Sequence, residues 1–108
     1  MEELELTAFE IISNVGMAKS LAIEALRDVR GGKYKEGAEK LEEASEYLVK
    51  GHHAHAQLIQ REAAGEKLDF SLIIMHAEDQ MMSAETIKSL VEEIIEMYKD
   101  LKKINNII

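Results

Sequence analysis

Proline is absent from this sequence, so glycine is the only residue that can strongly break a regular element. At Gly31-Gly32 and at Gly65 a glycine coincides with a lapse in hydrophobic periodicity. These breaks divide the chain into segments at about 4–30, 33–64 and 69–104. Each segment is rich in Ala, Leu, Glu, Lys and Met, which favour helices. Val, Thr, Phe and Tyr, which favour strands, are few. The sequence therefore predicts three helices. Phe9, Ile12, Val15, Leu21, Ala25, Leu26 and Val29 mark the apolar face of the first. Tyr34, Ala38, Leu41, Ala44, Leu48, Gly51, His55 and Leu58 mark that of the second. The third carries a seam through Phe70, Ile73, Ala77, Gln80, Ala84, Ile87, Val91, Ile94, Tyr98 and Leu101, spaced alternately three and four apart. Gly31 and Gly65 are expected to close the first two helices, and Asp69 or Ser71 to cap the third. Short loops between long helices give antiparallel neighbours, hence an all-α, up-down-up three-helix bundle in one domain spanning 1–108. The tail Ile104-Asn105-Asn106-Ile107-Ile108 is expected to fray or to pack on a neighbour.

The third helix carries more apolar surface than one bundle needs. A second stripe runs through Leu72, Met75, Asp79, Met82, Thr86, Leu90 and Met97. Two stripes imply a second partner surface, so an oligomer built around this helix is expected. A single wide stripe covered within one chain is the alternative. Asp79 interrupts the Leu and Met of the second stripe. A carboxylate buried there must be protonated, paired or metal-bound, or must reach solvent. Symmetry copies of Asp79 brought together repel unless a hard cation such as Mg2+ sits between them.

His76 lies on the shoulder between the two stripes, three residues before Asp79. A neutral imidazole nitrogen is a nucleophile near neutral pH and a route to covalent catalysis. The alternative is a partly buried ring satisfied by a carboxylate or carbonyl. His52, His53 and His55 cluster on the second helix. His52 and His55 could share a metal, but surface or core-hydrogen-bonded histidines fit the pattern better. Gly51 beside them suggests close approach of another helix. The Met81-Met82 pair reads as core packing or as a soft partner surface. Glu39, Glu42, Glu43 and Glu46 read as a solvated face.

Several function classes are excluded. The net charge of −8 opposes nucleic-acid binding, which needs a basic surface. Without cysteine there is no disulfide, thiolate zinc site or thiol nucleophile. No glycine-rich phosphate loop, GxSxG or HExxH motif is present. The acidic opening Met1-Glu2-Glu3-Leu4-Glu5 suggests no signal peptide, and no uninterrupted apolar run approaches the ~18 residues of a membrane span. A cytoplasmic location is expected.

The run Leu58-Ile59-Gln60-Arg61-Glu62-Ala63-Ala64-Gly65-Glu66, followed by Met75-His76-Ala77-Glu78-Asp79-Gln80-Met81-Met82-Ser83-Ala84, resembles one family closely. It is similar to the lactose/cellobiose-class IIA component of the bacterial sugar phosphotransferase system. The likeness extends to Phe9-Glu10-Ile11-Ile12 and His52-His53. The resemblance implies a three-helix monomer, a homotrimer forming a nine-helix bundle, and a phosphoryl relay. In that relay His76 accepts a phosphoryl group from the phosphocarrier protein HPr and passes it to a cysteine of the IIB component. Asp79 maps to the axial carboxylate that collects a divalent metal, Mg2+ by expectation, and any membrane contact is indirect, through the IIC component. Two residues depart from the family's usual His-Ala-Gln-Asp-His: Glu78 stands for the Gln, and Gln80 for the second His. Glu78 favours an alternative, a degenerate helical oligomer acting as a structural or regulatory partner. A third reading is a metal-binding bundle using His52, His55 or Asp79.

Overall fold

The computed structural model describes residues 3–69 and 71–107, with side chains described to residue 105. Three helices form, α1 (Glu3–Arg30), α2 (Tyr34–Ala63) and α3 (Leu72–Ile107), in a rod 61 × 22 × 19 Å. The two interhelix breaks are built alike. Gly32 and Gly65 both adopt positive φ, +84° and +94°. At the first, Gly32 N–H donates to Val29 O and Lys33 N–H to Asp28 O. At the second, Gly65 N–H donates to Glu62 O and Glu66 N–H to Arg61 O. Each pair satisfies carbonyls that a helix end leaves bare, in a Schellman arrangement. The left-handed residue at the first break is Gly32, one position later than the sequence suggested. Arg61 reinforces the second turn, donating from Nε to Glu66 Oε2 at 2.9 Å. Its guanidinium holds the Glu66 carboxyl below the usual carboxylate range. Ser71 caps α3, its Oγ accepting from Ile74 N–H at 3.4 Å. The tail continues α3 through Ile107 rather than fraying. Met1, Glu2, Phe70 and Ile108 lie outside the described residues.

The core divides into two clusters. Ala8, Ile11 and Val15 of α1 pack with Ala54 and Leu58 of α2 and with Ile74, Ala77, Met81 and Ala84 of α3. Ala22 and Val29 pack with Val91 and Ile95. Early α1 therefore meets early α3, and late α1 late α3, so these two helices run parallel with α2 opposed. α1 packs along both others, whereas α2 and α3 meet sparsely. α1 also holds an 18-residue window of mean hydropathy 1.2, apolar enough to match a membrane span although no unbroken apolar run occurs. Its buried line of Ala8, Ile11, Val15, Ala18, Leu21, Ala22, Ala25 and Val29 is the face that packs this bundle. The helices approach closely at Gly51. A Cβ there would lie 2.5 Å from Val15 Cγ1 and 3.6 Å from Met81 Sδ, so the sequence's expectation of close approach holds.

The α3 seam is rotated from the expected one. Ala77, Ala84 and Val91 are buried as anticipated, but Ile74, Met81 and Ile95 fill the places assigned to Ile73, Gln80 and Ile94. Phe9, Ala38 and Leu101 are exposed rather than packed. The second stripe is uncovered in the chain: Leu72 is 83% exposed, Met82 67% and Met97 58%. One wide intrachain stripe is thereby ruled out. Met81, by contrast, is 2% exposed, so the methionine pair splits between core and surface.

Candidate functional site

α3 sorts its polar residues onto two flanks of the buried seam. A helix turns about 100° per residue, so Glu78 lies about 200° from His76. Glu78 faces α2, where His55 Nε2–H donates to its Oε1 at 2.6 Å. Two turns on, Glu85 Oε1 lies 3.0 Å from His52 Nε2. Two imidazole–carboxylate pairs thus bridge the sparse α2/α3 boundary. His53 is exposed, with Gln57 Nε2 at 3.5 Å from its ring. These partners favour the hydrogen-bonded reading of the α2 histidines over a shared metal. Among the described residues no three His, Asp or Glu side chains gather as ligands.

His76 occupies the other flank, toward α1. It is exposed, and among the described residues its ring joins no hydrogen bond or ion pair. The alternative of a partly buried, satisfied ring is therefore wrong for His76. The acidic face Glu39, Glu42, Glu43 and Glu46 is exposed, as read from sequence. One helical turn beyond His76, Gln80 Oε1 accepts from Lys19 Nζ of α1 at 3.1 Å. Sequence reasoning missed Lys19, because nothing in its spacing links it to a residue 61 positions away. Asp79, three residues on from His76 and its neighbour on the helix surface, projects from the face of α3 that points away from the seam, exposed within the uncovered stripe of Leu72, Met75, Met82, Leu90 and Met97. Glu78, the residue that favoured a degenerate partner-binding protein, is turned away from His76 and occupied by His55.

The geometry is that of a slim up-down-up helical rod with one exposed imidazole, unpaired among the described residues, beside an uncovered apolar stripe. Comparison with known proteins identifies the family. The family described as "PTS system, Lactose/Cellobiose specific IIA subunit" matches residues 6–99. The lichenan-specific phosphotransferase enzyme IIA component of Bacillus subtilis is 42% identical over 100 residues, 93% of this chain and 91% of that protein. The crystal structure of the cellobiose-specific enzyme IIA from Bacillus anthracis superposes with a TM-score of 0.92 at 41% identity, covering 95% of this chain and 94% of that one. The solution structure of the Escherichia coli IIA(chitobiose)–HPr complex superposes with a TM-score of 0.80 at 30% identity, covering 94% and 99%. The chain belongs to the lactose/cellobiose-specific IIA subunits of the sugar phosphotransferase system.

Proposed function

We propose that the chain relays a phosphoryl group through His76, accepting it from phosphorylated HPr and passing it to a cysteine of a IIB component at the cytoplasmic face of the membrane. The observation that carries this reading is the ring of His76, exposed and unpartnered while the other three imidazoles have polar neighbours. The unprotonated ring nitrogen supplies its lone pair to phosphorus, and the donor's N–P bond breaks with its electrons staying on the donor nitrogen. His76 keeps its other ring proton throughout. In the second transfer the His76 N–P bond breaks as a thiolate forms an S–P bond. That thiolate must come from the partner, since this chain has no cysteine. A structural relative was solved in complex with HPr, which supports the donor. Phosphoryl transfer asks the protein mainly for positioning and charge stabilisation, and an exposed ring leaves room for two successive partners.

The uncovered α3 stripe supports a homotrimer with α3 at its axis. Each chain then contributes one Asp79 to the axis. A single exposed carboxylate among apolar neighbours suits a hard, oxygen-preferring ion shared by copies, and Mg2+ with bound water fits that donor set. The ion would neutralise crowded carboxylates and take no part in the transfer.

The test is incubation with phosphorylated HPr followed by intact-mass analysis. A mass gain of one phosphoryl group, lost in His76→Ala with helicity retained, is the expected result. No gain in the unaltered protein, or a gain that persists in His76→Ala, would overturn it.

A further inference from the structure

We propose that Lys19 and Gln80 form the receptor for the phosphoryl group on His76, with Gln80 touching it and Lys19 holding Gln80 in the donating orientation. The inference rests on the assignment of His76 as the acceptor. It starts from an unusual choice of partner. The chain has 21 acidic side chains, yet among the described residues the Lys19 ammonium forms no ion pair and donates instead to the neutral amide oxygen of Gln80.

That contact fixes the amide. A lysine ammonium only donates, so the group facing it must be the oxygen, and the Gln80 NH2 is turned the other way with both protons available. Gln80 is four residues after His76, and side chains at that spacing lie on one helix face. Helical side chains lean toward the N-terminus, so Gln80 covers the turn that carries His76. His76 is itself exposed, so a group added to its ring has open space around it. A phosphoryl group on His76 would thus have an amide donor one turn away on the same helix face, with a cation behind it. The partly buried Lys19 brings positive charge to a dianion that the net charge of −8 would otherwise repel.

The readout is the equilibrium distribution of the phosphoryl group between HPr and this protein, with the 31P chemical shift of the phosphohistidine. Lys19→Met and Gln80→Leu are each expected to shift the distribution about tenfold toward the donor, the scale of one charge-assisted hydrogen bond, and to move the 31P resonance. Lys19→Arg should retain both values. Gln80→Glu keeps the bond to Lys19 but replaces the donor by an anion, so it should hold the least phosphoryl. Helicity and thermal midpoint, measured alongside, should stay near those of the unaltered protein. If Lys19→Met and Gln80→Leu both phosphorylate at His76 with distribution and resonance unchanged, the receptor proposal fails and His76 stands. If the unaltered protein accepts no phosphoryl group, the assignment of His76 fails and the receptor with it.

Discussion

Replacing Gly51 by alanine tests the point where all three helices converge. The new Cβ would sit 2.5 Å from Val15 Cγ1, when carbon atoms prefer about 3.5–4.0 Å. Val15 is fully buried, and as a β-branched residue it has one strongly preferred helical rotamer, so it cannot swing aside. Overpacking of this kind costs about 1–3 kcal/mol. Alanine regains up to ~1 kcal/mol over glycine inside a helix. The net expectation is a loss of about 1 kcal/mol. The sign should invert when Val15 is first shortened to alanine. The offending Cγ1 is then gone, and the remaining neighbours, Met81 Sδ at 3.6 Å and the residue-15 Cβ at 3.9 Å, are ordinary contacts. In that background Gly51→Ala should stabilise by up to ~1 kcal/mol. Urea unfolding of the four proteins at one fixed chain concentration measures the cycle, since an oligomer's stability depends on concentration. A Gly51→Ala protein as stable as its parent, or a coupling under ~0.5 kcal/mol, would refute the close approach.

The remaining expectations concern assembly, metal, charge and pH. Met82→Glu or Leu90→Glu puts a charge on the uncovered stripe and should convert a three-chain mass to a one-chain mass by light scattering. A chelator should lower the thermal midpoint near neutral pH, by about 4–8 °C for each kcal/mol lost, and Asp79→Leu should abolish the response. Glu78→Gln should leave the phosphohistidine lifetime within about twofold and cost less than ~1 kcal/mol, because Glu78, itself partly exposed to solvent, engages His55 on the far flank. The folded-state shift of Glu66 is downward, caused first by its hydrogen bond to Arg61. Its contribution is therefore present above its unfolded value and lost as pH falls through the folded one. Amide protection of Glu66 in the α2–α3 turn should accordingly decline below about pH 4.

Periodicity and glycine placement made the three helices and both turns legible, and the two-stripe argument identified the face of α3 that the chain leaves uncovered. The phase of the buried seam was not legible, and the cause is local. Ile73-Ile74 and Ile94-Ile95 are apolar doublets, so either member satisfies the spacing, and a strict alternation of three and four steps over the apolar Met81 onto Gln80. Only the position of α1 selects Ile74, Met81 and Ile95. The site shows the same boundary between local and nonlocal information. That Glu78 points away from His76 follows from helix geometry alone. That His55 receives it, and that Lys19 meets Gln80, depends on how separate helices are set side by side.

The split between Met81 and Met82 gives two neighbouring thioethers very different chemical histories. Oxidants reach a sulfur only where solvent does, so a chain standing alone offers Met75, Met82 and Met97 for conversion to sulfoxide while Met81 is shielded. Each such conversion makes the stripe more polar and less able to join another copy. For the proposed trimer, oxidation would then be self-reinforcing: a chain damaged before assembly would stay unassembled and exposed to further damage. The ratio of sulfoxide at Met82 to that at Met81 would record how long a chain had spent without its neighbours.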